Sequence, residues 1–106
     1  MFVLKRAPTH PGVILKDHYL EARNVSVTAF ADAAGISRKH LSMIVNGRVS
    51  ITADTAVRIS AVLGTSAEMW MIGQAQYDLW YSEKALPEGK PLKRGAFALT
   101  SQEVHA

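Results

Sequence analysis

The chain of 106 residues has no cysteine, which excludes a disulfide framework and any thiolate metal site and suits a reducing compartment. Long hydrophobic runs are missing too. No stretch approaches the roughly 18 uninterrupted apolar residues of a spanning helix, so a membrane protein is not expected. The opening segment Met1-Phe2-Val3-Leu4-Lys5-Arg6 puts its charges after a short apolar run. That is the reverse of a secretory leader, and the expected compartment is the cytoplasm. Catalytic signatures are equally scarce: the chain has no glycine-rich phosphate loop, no Gly-x-Ser-x-Gly elbow and no cysteine nucleophile. Of His10, His18, His40 and His105, no two show zinc-ligand spacing with a second pair nearby. Asp17 and Glu21, one helical turn apart, read as solvated charges. No enzyme activity, metal or cofactor is expected.

What is present is an ordinary globular composition, 48% hydrophobic and 20% charged with a formal net charge of +3, in a length that supports one compact core. Helical punctuation is frequent. Thr9-His10-Pro11-Gly12 opens a helix expected over Pro11 to Arg23, with Pro11 in a first-turn position that needs no amide hydrogen. Ser26 caps a second, short helix to Ala34, with Phe30, Ala31 and Ala34 on one face and Gly35 as its left-handed stop. Ser37 caps a third, Ser37 to Asn46, whose Leu41, Ile44 and Val45 face inward before Asn46-Gly47 ends it. Thr52 caps a fourth ending at Gly64, and Thr65-Ser66 open a fifth over Ala67 to Glu83. The fifth carries more apolar residues than one inward stripe requires.

The expected architecture is therefore all-α with five helices. It divides into an N-terminal arm over residues 1–8, a domain over 9–84 and a C-terminal tail over 85–106. Met1 to Lys5 could form a short strand. Ala85-Leu86-Pro87-Glu88-Gly89-Lys90-Pro91 breaks the helical pattern. The residues beyond it read equally as a strand, a docked arm or disorder.

Two short helices joined by a tight glycine turn, Ser26 to Ala34 and Ser37 to Asn46, form the signature of a helix-turn-helix. Ala31 is small where the helices approach, Gly35 takes a conformation that a β-carbon resists, and Leu41 and Ile44 anchor the later helix. Ala31, Gly35, Ile36, Leu41 and Ile44 together resemble the lambda-repressor-like helix-turn-helix family. The strings His10-Pro11-Gly12-Val13-Ile14-Leu15, Leu41-Ser42-Met43-Ile44-Val45-Asn46-Gly47-Arg48 and Ser50-Ile51-Thr52-Ala53-Asp54-Thr55-Ala56, with Trp70 ahead of Tyr77-Asp78-Leu79-Trp80, are similar to HigA-type antitoxins. The similarity covers roughly residues 9 to 81. It implies a dimer that represses its own promoter and binds a HigB-type toxin, a messenger-RNA-cleaving enzyme. One position departs: the family often has Gln after the Ser that caps the first motif helix, and this chain has Val27.

The residues themselves point the same way. Between Asp32 and Asp54 there is no acidic residue, while Arg38, Lys39 and Arg48 are cationic and His40 can become so on a phosphate surface. A recognition helix presents its first residues to base edges in the major groove, which selects Ser37, Arg38, Lys39 and Ser42, with Met43 for apolar contact. Asn46 and Arg48 at the far end suit phosphates, and Thr28 can offer its hydroxyl beside the N–H groups of its helix start. The expected partner is a double-stranded DNA operator read by a homodimer on paired half-sites. Trp70, Tyr77, Trp80 and Tyr81 are the candidate dimer or partner surface. Two other readings stay open: a protein-binding module that neutralises a toxin with DNA binding secondary, and a solitary regulator with no toxin partner.

Overall fold

A computed structural model describes residues 6–86 and 92–100. Among these, the chain forms five helical segments and no strand. The Met1–Lys5 segment lies outside the described residues, as do residues 87–91 and 101–106.

The first helix, α1, starts at Pro11–Ile14, runs on through a π-helical turn over Leu15–Leu20 and closes as a 3₁₀ turn over Glu21–Arg23. The sequence led us to expect one regular helix here. Leu15 and Leu20 are both buried, at 0% and 2% exposure. Five residues apart, they would diverge by about 140° on a helix of 3.6 residues per turn. The wider turn, in which the Glu21 amide reaches the Lys16 carbonyl, brings both toward the core. Asn24 then ends the helix at φ 57°, a left-handed conformation that Asn tolerates better than other side chains.

Helix α2 spans Val27–Ala34 and α3 spans Arg38–Val45. Each is capped by a serine: the Ser26 hydroxyl accepts from the Ala29 amide and the Ser37 hydroxyl from the His40 amide, both at 3.1 Å. Gly35 joins them at φ 67°, and the Ile36 amide returns to the Ala31 carbonyl at 3.0 Å, so the turn satisfies the last carbonyls of α2. Helix α4 spans Ala53–Leu63 behind Thr52 and stops at Gly64; α5 spans Ala67–Lys84 behind Ser66.

One core unites them. Leu15 and Leu20 from α1, Phe30 and Ala31 from α2, Leu41 and Ile44 from α3, Ile59 from α4 and Trp70 from α5 are all at or below 3% exposure. Buried polar groups are matched: the Gln74 side chain accepts from the Ile51 amide at 2.9 Å and donates to Asp78 at 3.0 Å. Residues 92–100 carry a turn rather than a strand, with the Ala96 amide bonded to the Lys93 carbonyl. Phe97 is 95% exposed there.

Candidate nucleic-acid interface

Helix α3 buries Leu41, Ile44 and Val45. At 100° per residue, the face opposite them carries Lys39, Met43 and Asn46, with Ser42 and His40 along its margins, while Arg38 projects from the first turn on the side of Val45. Arg38, Lys39, His40 and Asn46 are exposed, while Ser42 and Met43 are half-buried. Ser37 lies at the exposed start of the helix, its hydroxyl already engaged as the cap. Asn46 commits one amide hydrogen to the Ser42 carbonyl at 2.7 Å. That bond fixes the side chain at the helix exit and leaves its second amide hydrogen to point elsewhere.

Past the helix, Gly47 at φ 70° turns the chain, and the Arg48 amide bonds back to the Met43 carbonyl at 2.9 Å. The exposed Arg48 side chain therefore leaves a fixed loop. Thr28 is exposed in the first turn of α2. Val27, standing where the resemblance leads one to expect Gln, is half-buried and packs against the core. Among the described residues the ion pair is Arg58 with Asp54, at 2.9 Å. Among the described residues Arg38, Lys39 and Arg48 have no such partner, which leaves their charge to an anion.

Reading the sequence missed three contributors. Arg58 of α4 points its guanidinium at the turn, 3.3 Å from the Gly35 carbonyl and 3.5 Å from that of Ala34. There it caps the negative end of α2. Its i, i+4 spacing from Asp54 was visible; its reach to the turn, 23 residues back in the chain, was not. Gly12 is the second: a β-carbon there would stand 1.8 Å from the Ile44 carbonyl oxygen, so α1 meets α3 backbone to backbone. His10 is the third. It is buried, its Nδ1 accepts from the Gly12 amide at 2.9 Å, and burial lowers its pKa below the ordinary 6.5 against the raising pull of the Val49 backbone and Asp78.

One expected surface residue is corrected. Trp70 is 1% exposed, its Nε1 donates to the Thr65 hydroxyl at 2.9 Å, and its ring lies 5.5 Å from that of Tyr19. It is a core residue, because Ser66 starts α5 at a point where its first turn lands on α1 and α4. Tyr77 and Trp80 are half-buried and Tyr81 is 47% exposed. The Tyr77 and Tyr81 rings meet at a tilt, 4.7 Å apart, and the Lys84 ammonium sits 4.9 Å over the Trp80 ring. On the far side of α5, Ile72 and Leu79 are 57% and 60% exposed.

Residues 18–70 match the helix-turn-helix family, and antitoxin HigA-1 of Vibrio cholerae is 37% identical over 100 residues, spanning 94% of each chain. The chain belongs to the HigA-type antitoxins of the helix-turn-helix family. Virulence-associated protein I of Dichelobacter nodosus is 39% identical over 71% of this HigA-type chain and 69% of its own length. The Pseudomonas aeruginosa antitoxin HigA, solved with the higBA promoter, superposes with a TM-score of 0.70 at 34% identity, covering 80% of this chain and 98% of that one. Among the described residues no helix is long and apolar enough to cross a membrane.

Proposed function

We propose that this HigA-type chain is a sequence-specific DNA-binding repressor in the cytoplasm. In this reading it is the antitoxin of a HigB-type toxin, autoregulates its promoter and has no catalytic activity of its own. The observation that carries the reading is the capped helix α3, with Lys39, Met43 and Asn46 outward and exposed cations around it. It is supported by the P. aeruginosa antitoxin HigA solved with promoter DNA. Arg38, Lys39, Ser42 and Met43 face bases, with Ser37 and His40 at the groove edge. Asn46, Arg48 and Thr28 hold phosphates. The domain responsible is residues 9–84, flanked by the arm over 1–8 and the tail over 85–106.

A homodimer places two such helices on paired half-sites. Tyr77, Trp80 and Tyr81 of α5 form its surface. On the opposite side of α5, Ile72 and Leu79 are highly exposed for apolar side chains and support a second reading, in which toxin binding dominates and DNA binding is subsidiary. Gel shift at fixed salt on a duplex selected from a random pool tests the first. Arg38→Ala with Lys39→Ala should weaken binding at unchanged helicity, and Arg48→Ala should reduce the salt slope by about one unit. Unchanged affinity in the double variant removes the recognition helix from the mechanism. Growth arrest by the neighbouring toxin that persists when this chain is co-expressed defeats the antitoxin role.

A further inference from the structure

We propose that His10 is a positioning residue for the DNA-contacting exit of helix α3, and that protonation of its ring loosens that exit. This rests on the DNA-binding reading above. His10 is 6% exposed and touches three parts of the fold at once. Its Nδ1 accepts from the Gly12 amide at the start of α1, and the Val49 backbone faces the ring and favours its protonated form. Its edge meets the Tyr77 ring of α5 at 4.9 Å. It also packs against Gly47, where a β-carbon would come to 3.6 Å from the His10 Cβ and Cγ. Arg48 lies between Gly47 and Val49, the two residues this ring supports. The phosphate-holding cation therefore stands on a loop whose both flanks are propped by one imidazole.

Hydrogen bonding fixes the protonation state that does this. An Nδ1 that accepts from an amide carries no proton, so the ring is the neutral Nε2–H form. A proton added at Nδ1 puts donor against donor at the Gly12 amide and removes the cap of α1. Gly12 cannot yield independently, because it abuts the Ile44 carbonyl of α3. The displaced cap pushes on the recognition helix. The charged and titratable groups facing the ring are Asp78, which favours the proton, and the Tyr77 phenol, both from α5. Pro11, Gly12, Gly47 and Val49 bring no titratable side chain.

The test uses the full chain and a duplex that the wild type selects from a random pool at pH 8. Binding is followed by fluorescence anisotropy from pH 8 to 5 at constant ionic strength. All variants carry His40→Gln, so that His10 is the imidazole under test beside the DNA face. In this background affinity should fall roughly three- to tenfold more on acidification with His10 than with His10→Asn. Asn caps a helix without titrating. His10→Ala should bind weakly and with a flat profile at every pH. Parallel profiles for His10 and His10→Asn overturn the proposal while leaving DNA binding intact; absence of any binding by the wild type overturns both. A second readout needs no variant at His10: in the His40→Gln chain, the Arg48 amide resonance should titrate with the His10 ring midpoint, and an Arg48 amide that ignores it also overturns the proposal.

Discussion

Among the described glycines, Gly12 is where an added β-carbon meets the closest neighbour, so Gly12→Ala is the sharpest test of the packing. A β-carbon there would lie 1.8 Å from the Ile44 carbonyl oxygen and 2.6 Å from its carbonyl carbon. Non-bonded carbon atoms settle at about 3.5–4.0 Å, so α1 and α3 must separate by more than about 1 Å. Neither partner can swing aside, since the obstacle is backbone and the flanking Leu15, Leu41 and Ile44 are fully buried. Overpacking costs about 1–3 kcal/mol, and a backbone overlap belongs at the upper end. Against this stands at most about 1 kcal/mol of improved helix propensity. The net loss of about 2 kcal/mol corresponds to a Tm lower by about 8–16 °C in a domain of this size. Gly73→Ala is the internal control: the Pro11 Cβ lies 3.5 Å away in ordinary contact, and the same propensity gain should raise Tm. Gly64→Ala has no neighbour within 4 Å but sits at φ 76°, so left-handed strain alone should cost about 1–2 kcal/mol. Thermal and urea unfolding by circular dichroism read all three. A Gly12→Ala chain that melts with the wild type, or above the Gly73→Ala chain, refutes the close approach.

Three further perturbations separate other contributions. Gln74→Ala strips the buried Ile51 amide of its acceptor and should cost about 1–3 kcal/mol in urea midpoint at unchanged slope. Arg58→Ala removes a half-exposed ion pair and two long bonds to the turn; a stability loss of about 1 kcal/mol or less is expected, with a larger effect on duplex affinity if the turn angle shifts. His10 is held below its ordinary 6.5, chiefly by burial, so the unfolded chain binds the extra proton first as pH falls. Stability is therefore full above that value and declines on acidification through 6.5 toward the folded pKa. His10→Asn should flatten the decline of Tm between pH 7 and 5, and an equal decline in both chains contradicts the assignment.

The helices were legible because their boundaries are written locally. Ser26, Ser37, Thr52 and Ser66 each accept an amide three residues ahead, and Gly35 and Gly64 stop the helices they follow. A cap and a stop need only their neighbours, so sequence pattern suffices for them. The cationic face of α3 was legible for the same reason, since one helix period separates Leu41, Ile44 and Val45 from Lys39, Met43 and Asn46. The π turn over Leu15–Leu20 was not, because nothing local announces it: it follows from the need to seat two leucines five residues apart. Trp70 was misplaced on the surface because aromatic residues crowd α5, and composition cannot say which of them faces in.

Helix α5 shows why that error was natural. Of its 18 residues only Trp70 and Gln74 are buried, one turn apart, and both reach back to polar partners: Trp70 to Thr65 and Gln74 to Ile51. Tyr77, nearly another turn along, meets His10. The helix is thus fastened along a single line of three side chains, Trp70, Gln74 and Tyr77. Its sequence has no inward apolar stripe to reveal that line, because one of the three fasteners is an amide and another is half-buried. Met69, Ile72 and Leu79 lie off the line and stay exposed, although their hydrophobicity equals that of core residues elsewhere in the chain. An apolar residue on α5 is buried or exposed according to where α1, α4 and the Val49–Ile51 loop happen to touch the helix. Those contacts are made by residues remote in sequence, which is why the partner face of this chain emerges from its packing and its reading helix from its pattern.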